Sequence, residues 1–263
     1  EENNDNYKSQ EHPLYHARQI AAKRLKGRDS ILVLESTLPS LESKYLAGQG
    51  QYRHLQLESK NNQIKTEIID MRKEVEKGNL DDLSQKLKEE IKIQLTAGNK
   101  ILLFLNRRGS AHYVICRKCG HVIKCDNCNI SLNYHKEEQK LICHHCGLQK
   151  EMPDQCPECG SSFISPAGIG TEKIIEELRE IYPGAEILRV DSDLKEKEIK
   201  NRLNQFKNGE VDIIVGTSLL IKNQFFEQLN FAAVISSDVA INSADFRAAE
   251  NNYFLIKQLK NLL

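Results

Sequence analysis

Residues 101–119 read ILLFLNRRGSAHYVICRKC, from Ile101 to Cys119. The first five are apolar without interruption. A half-buried strand alternates apolar and polar residues, so an unbroken run marks a strand covered on both faces, as in a parallel sheet. The run stops at the polar turn Asn106-Arg107-Arg108-Gly109, and Cys116 and Cys119 follow. A strand of an α/β fold thus leads directly into a cysteine-rich insertion.

The flanks continue the α/β pattern. Upstream, Ile31-Leu32-Val33-Leu34 reads as a strand, after a helix running from near Tyr15 to Gly27. Residues 48–63, rich in Gly, Gln and Asn, read as a linker or loop. Between Asp81 and Ala97, Leu83, Leu87, Ile91 and Leu95 recur every fourth residue. That is a helix with a core-packing stripe, capped by Asp81 or Asp82 and closed by Gly98. Downstream, helices are expected over Thr171–Tyr182, Lys195–Lys207 and Ala244–Leu263, with Ile199, Leu203 and Phe206 inward on the second. Strands are expected over Ala185–Val190, Asp212–Val215 and Ala232–Ile235. Alternation of buried strands with helices implies a parallel sheet with helices on both faces. No internal repeat stands out.

Composition sets limits. The 263 residues suit one large or two modest domains, and 37 Lys and Arg balance 37 Asp and Glu. Zero net charge excludes a polycationic tail that binds nucleic acid by bulk charge, but not a local basic surface. A 40% hydrophobic and 28% charged mix is that of a globular chain. No apolar run approaches the roughly 18–20 residues of a membrane span. The polar first thirty residues carry no leader, and a start at Glu1-Glu2 without Met reads as a fragment.

All eight cysteines lie between Cys116 and Cys159, as four C-x-x-C pairs: Cys116/Cys119, Cys125/Cys128, Cys143/Cys146 and Cys156/Cys159. A secreted disulfide protein scatters its cysteines, whereas this clustering fits a reducing, cytoplasmic setting and metal. Each pair can give two thiolates to one ion, and Gly120, Gly147 and Gly160 can turn backbone N–H groups toward sulfur. Four pairs make two Cys₄ sites. Five residues separate Cys119 from Cys125, a tight loop, and fourteen separate Cys128 from Cys143, near zinc-ribbon spacing. The favoured pairing is nested: Cys125, Cys128, Cys143 and Cys146 inside, Cys116, Cys119, Cys156 and Cys159 outside. Sequential and crossed pairings stay open. Closed Cys₄ sites imply two structural Zn²⁺ ions; disulfides and an iron–sulfur cluster are the alternatives. His135, His144 and His145 read as surface or supporting residues.

Several strings together resemble the primosomal replication-restart DNA helicases of the PriA type. They are Leu103-Phe104-Leu105-Asn106-Arg107-Arg108-Gly109, Cys143-His144-His145-Cys146-Gly147, Cys156-Pro157-Glu158-Cys159-Gly160-Ser161 and Gly168-Ile169-Gly170-Thr171-Glu172. Tyr182-Pro183-Gly184, Asp212-Ile213-Ile214-Val215-Gly216-Thr217 and Asp245-Phe246-Arg247-Ala248-Ala249-Glu250 follow, with Pro39-Ser40-Leu41-Glu42-Ser43 and Ile69-Asp70-Met71-Arg72 upstream. The likeness is collinear over nearly the whole chain. It implies a RecA-like lobe over 63–263 interrupted by a two-zinc insert over 114–164, and a remnant of a first lobe over 1–62. It also implies ATP- and Mg²⁺-dependent 3′-to-5′ unwinding in the parent family. The implied partners are single-stranded or forked DNA, primosome proteins and single-strand-binding proteins, with a monomeric chain and no membrane. The nested zinc pairing is the family's as well.

Departures from the family pattern bear on turnover. No G-x-x-x-x-G-K-[ST] phosphate loop is present. Glu1-Glu2 resembles the tail of an Asp-Glu-Glu-His metal box, with Asn3 where His is expected. Glu35-Ser36-Thr37-Leu38-Pro39 stands for Gly-Ser-Ala-Thr-Pro, Ser218 for Gln, and Lys222-Asn223-Gln224-Phe225-Phe226 for Lys-Gly-His-Asp-Phe. The family's Gly-Arg motif would follow Gln258, where Lys260-Asn261-Leu262-Leu263 stands. Phosphoryl transfer depends on positioned charge, so no ATPase is expected of this chain alone. It is read as a fragment or a degenerate relative, with a non-catalytic zinc-dependent DNA- or protein-binding module as the alternative function.

Remaining candidates follow from position. Asn106, Arg107 and Arg108 end a strand, where α/β folds place ligands, and could hold single-strand phosphates; a solvated turn is the plainer reading. Gly170, Thr171 and Glu172 could meet nucleotide phosphate at a helix start, or simply cap it. Arg247 could touch nucleotide or pair with a nearby acid. Lys195-Glu196-Lys197-Glu198 is a solvated helix face.

Overall fold

The computed structural model describes residues 2–9, 11–57, 64–105, 113–135, 137–167, 170–221, 229–242 and 245–263. The chain divides into two units, Glu1–Gln63 and Ile64–Leu263. The first holds α1 (Ala17–Leu25) and α2 (Leu41–Gly48). Its predicted strand, Ile31 to Leu34, is irregular, with Ile31 89% and Val33 80% exposed. A strand needs a neighbour for its backbone groups, and the described residues of this unit offer none.

The second unit begins with α3 (Met71–Glu76), α4 (Gln85–Thr96) and β1 (Lys100–Leu105). A cysteine-rich insert follows, with β2 (Val114–Cys116), β3 (Asn133–His135), β4 (Lys140–Ile142), β5 (Gln149–Glu151) and β6 (Ile164–Pro166). Then come α5 (Thr171–Ile181), β7 (Ile187–Val190), α6 (Glu196–Lys207), β8 (Ile213–Gly216), β9 (Leu229–Ile235), α7 (Asp238–Ile241) and α8 (Ala248–Lys260). The last helix expected over Ala244–Leu263 is α8, four residues later at its start, and α7 precedes it without having been expected.

Strands order as β7-β8-β1-β9, all parallel. Side chains alternate across β1. Ile101, Leu103 and Leu105 join Ile91 of α4 and Ile174 and Leu178 of α5 on one face. Leu102 and Phe104 join Leu203 and Phe206 of α6 and Leu259 of α8 on the other. The apolar run is therefore a strand buried on both sides, and the fold is a RecA-like α/β lobe with a Cys-rich insert. Gly216 lets β7 and β8 close up, because a Cβ there would lie 2.1 Å from the Val190 carbonyl oxygen.

One cap differs from expectation. Ser84, not Asp81 or Asp82, caps α4, its hydroxyl accepting from the Leu87 N–H at 3.1 Å. Ser offers the same capping oxygen as Asp, and the carboxylate of Asp82 is engaged elsewhere. No helix among the described residues is long and apolar enough to cross a membrane.

Candidate metal centre

The insert leaves the carboxyl edge of the sheet after β1 and is closed at its base by antiparallel β2 and β6. Inside it, one backbone turn occurs four times. The N–H groups of Cys116, Cys125, Cys143 and Cys156 each donate to the carbonyl five residues on, at 2.8 Å. The carbonyls of the same cysteines accept from Gly120, Asn129, Gly147 and Gly160, also at 2.8 Å. These four residues have φ between 56° and 81°, in the left-handed region. Asn129 is the fourth member of the set, and Asn tolerates that region better than most side chains. The spacing in sequence hides the repeat because the loops between turns differ in length.

The turns pair as two cages. Cys116, Cys119, Cys156 and Cys159 form one and Cys125, Cys128, Cys143 and Cys146 the other, with ligand atoms in each within 4.8 Å of one another. Sulfur pairs lie 3.7 Å apart for Cys116/Cys159 and Cys119/Cys156, and 3.5 Å for Cys125/Cys146. Four sulfurs at about 2.3 Å from one tetrahedral ion stand about 3.8 Å from each other, so the cages have the size for one zinc each. A disulfide would need about 2.05 Å. An iron–sulfur cluster puts sulfides between its irons and spreads its cysteines further.

Proton affinities support a cation at each cage. The N–H groups of Cys146 and His145 draw the Cys143 thiol down to about 6, against burial. Burial pushes Cys156 up, but the N–H groups of Cys159 and Glu158 outweigh it and bring the thiol to about 7. Cys128 is pushed up to about 12 by the Cys146 thiol and by burial. At Cys119 the His121 N–H works downward, but burial and the neighbouring thiols prevail, raising it to about 12. Four crowded sulfurs do not all ionise without a positive ion, and binding one expels the remaining protons. His145 Nδ1 lies 3.3 Å from Cys128 Sγ, as a supporting contact.

Hydrogen bonds among the described residues tie the insert to the segments before α4 and after α7. Arg117, inside the first turn, donates to the Leu80 carbonyl at 2.7 Å and to Asp82 Oδ1 at 2.6 Å. The other Asp82 oxygen takes Lys173 of α5 at 2.6 Å. On the inner ribbon, Ser131 Oγ donates to the Asn242 carbonyl at 2.8 Å, beyond α7. Nothing in the sequence flags the pairing of Arg117 with Asp82, 35 residues away.

The sequence signature of the PriA DNA helicase Cys-rich region domain matches residues 125–150, the inner ribbon. Replication restart protein PriA of Bacillus subtilis is 37% identical over 98% of this chain, and that of Haemophilus influenzae 35% identical over 95%. PriA of Rickettsia felis is 37% identical over 98%. This is a PriA-type chain. It spans 33%, 34% and 41% of the length of those three relatives. A crystal structure of the Pyrococcus furiosus Hef helicase domain aligns with 57% of the PriA-type chain and 19% of that chain, at 18% identity and a TM-score of 0.29. The fold assignment rests on the sheet order and its two covered faces, not on that likeness.

Other candidate residues of the PriA-type chain fall into three groups. Glu1, Asn106, Arg107 and Arg108 lie outside the described residues, as do Gly168, Ile169 and the stretch 222–226. Glu2 is buried in an ion-pair network. Its Oε1 accepts from the Ser40 N–H at 2.6 Å, its Oε2 meets Arg18, and Arg18 also donates to Ser40 Oγ at 2.5 Å. Burial alone would raise the Glu2 carboxyl, but Ser40 and Arg18 hold it below the usual range. The third group lies on helix starts. Gly170 precedes α5 without a side-chain cap, and the Thr171 hydroxyl donates to buried Asp191 at 2.8 Å. Glu172 pairs with Arg189, whose Nε also reaches Asp191 at 3.2 Å. Arg247 precedes α8, 2.8 Å from Glu250 and 5.1 Å from the Phe246 ring centroid. Asp191, the hub of the α5–β7 contacts, is fully buried; a lone Asp after a strand gives no sequence signal of that role.

Proposed function

We propose that this chain is the zinc-bearing, DNA-engaging stretch of a replication-restart helicase, and that by itself it binds DNA without hydrolysing ATP. The observation that carries the reading is the pair of Cys₄ cages on the carboxyl edge of a parallel sheet, in a chain this similar to PriA proteins. In the whole protein, two RecA-like lobes would couple ATP and Mg²⁺ to 3′-to-5′ unwinding, with 63–263 as the second lobe, 114–164 as its insert and 1–62 as a remnant of the first. The exposed Ile31 and Val33 support the last assignment, as a core strand lacking its sheet. Two zinc ions would hold the insert, with no open coordination position and so no catalytic role. Primosome and single-strand-binding proteins are the proposed partners of a monomeric, cytoplasmic chain.

Absence of turnover is supported by the missing phosphate loop and by the commitment of Glu2 to Arg18 and the Ser40 N–H and of Thr171 to Asp191. Asn106, Arg107 and Arg108 are proposed to hold strand phosphates, with nucleotide contact by Gly170, Thr171, Glu172 or Arg247 confined to the intact helicase. The test measures forked-DNA binding and ATP hydrolysis side by side. Salt-sensitive binding that weakens about fivefold or more in R107A/R108A, with no DNA-stimulated hydrolysis, supports the reading. Turnover by the chain alone would overturn the non-catalytic assignment, and unchanged binding in the double variant would remove these arginines from it.

A further inference from the structure

With zinc bound, the chain is formally acidic. In 114–164 six Lys and Arg cancel six Asp and Glu, so eight thiolates and two divalent ions leave four negative charges there. Phosphate contacts therefore need a basic surface placed elsewhere. Between residues 12 and 34 the chain carries Arg18, Lys23, Arg24, Lys26 and Arg28 against a single acid, Asp29.

Geometry gathers four of these cations at one end of α1. Lys23 and Arg24 lie in its last turn and Lys26 is its C-cap. Gly27, at φ 78°, folds the chain back, and the Arg28 N–H donates to the Leu25 carbonyl at 3.0 Å. Arg28 is thereby held beside the helix end instead of trailing from it. Lys23, Arg24, Lys26 and Arg28 are all exposed, and none has an ion-pair partner among the described residues. Arg18, in contrast, is spent on Glu2. The run from Lys195 to Lys200 shows the usual alternative, with cations interleaved with Glu196 and Glu198 and Lys200 paired to Glu196 at 3.0 Å. The helix dipole favours cations in a last turn, which accounts for Lys23 and Arg24. It does not require Lys26 and Arg28 as well, and α1 buries no residue that would need a charged cover.

We propose that Lys23, Arg24, Lys26 and Arg28 form a contact surface for the phosphates of a DNA strand. The proposal rests on the DNA-binding reading above and adds a site to it. Backbone binding of this kind needs exposed, unneutralised cations and no base-specific group, which is what the end of α1 presents.

The experiment measures affinity of the full 263-residue chain for oligothymidylate between about 50 and 200 mM salt. Substituting all four cations by Gln removes the charge, leaves a polar side chain and keeps helix propensity. The slope of log K against log salt should become shallower by about 0.7 for each lost contact, so by roughly 3 in the quadruple variant. Affinity at the lowest salt should fall at least about tenfold, with the melting temperature unchanged. K26Q and R28Q, beyond the helix, each predict a slope change of about 0.7 and serve if the quadruple variant fails to fold. Wild-type binding that weakens in R107A/R108A but keeps its slope in all Gln variants overturns this site and leaves the DNA reading standing. No wild-type binding overturns both. Loss of phosphatidylserine-vesicle binding with unchanged DNA binding would mark a membrane surface and also overturn the proposal.

Discussion

Glu2 shows how little a single residue's role is written in its own position. The sequence offers it as half of a metal box. Its carboxylate is instead enclosed by the Ser40 N–H, the Ser40 hydroxyl and Arg18, contacts that span up to 38 residues of chain. Its folded pKa lies below the ordinary 4.5, so the carboxylate adds stability that is fully present above that value and lost as pH falls through the folded pKa. Glu2→Gln should therefore lower stability near neutral pH by about 1.5–3 kcal/mol, the range for hydrogen bonds to a charged group. The gap to wild type should shrink as the pH falls through the folded pKa, below which both side chains are neutral. Thermal melts of the two proteins near neutral pH and below the folded pKa provide the check, and a gap of equal size at both would mean the charge contributes nothing. Thr171 and Asp191 teach the same lesson: the residue types were visible, their partner 20 residues away was not. Cysteine is the exception, because thiol chemistry at two-residue spacing leaves few other uses.

Elements were more legible than their boundaries. Five consecutive apolar residues identified β1, and the four-residue stripe identified α4, because burial on two faces or one leaves a periodic trace. The cap of α4 was misplaced by two or three residues, since Asp81, Asp82 and Ser84 can all supply a capping oxygen and only packing chooses among them. Ile31 to Leu34 has the composition of a buried strand but no partner strand among the described residues of its unit, so propensity alone does not make it one. The four cysteine turns are the elements whose pairing can be tested most directly. In the nested arrangement Cys116 and Cys156 belong to one cage, so C116S/C156S disables that cage only. Sequential or crossed pairing would put the two substitutions in different cages and disable both. Metal analysis of the purified double variant should find about one zinc per chain where the unaltered protein holds about two. A value near zero would reject the nested cages.

At the scale of the molecule, sheet and insert are held together by different physics. The sheet has apolar cores on both faces, with aliphatic side chains from four helices. The insert has Val114, Ile123, Leu132 and Leu141 as its buried aliphatic centre, and the other two members of that cluster, Cys125 and Cys143, are themselves candidate ligands. So few aliphatic groups cannot offset the entropy of ordering about fifty residues, and domains of that size ordinarily lean on metal or disulfides. Metal binding is then the folding free energy of the insert. Chelation should unfold it while the sheet persists, because the insert enters and leaves at one edge, closed by the short β2–β6 pair, and β8 and β9 each pair with β1 without it. Amide hydrogen exchange with and without a strong chelator reads the two parts separately. Protection at Cys125, Leu132 and Cys143 should be lost, protection at Leu102 to Phe104 and Ile213 to Val215 retained, and added zinc should restore the first set. Equal loss across both sets would show that metal holds the whole lobe, and full retention would show that the insert folds without it. The intermediate pattern alone fits an insert whose core is made of its own ligands.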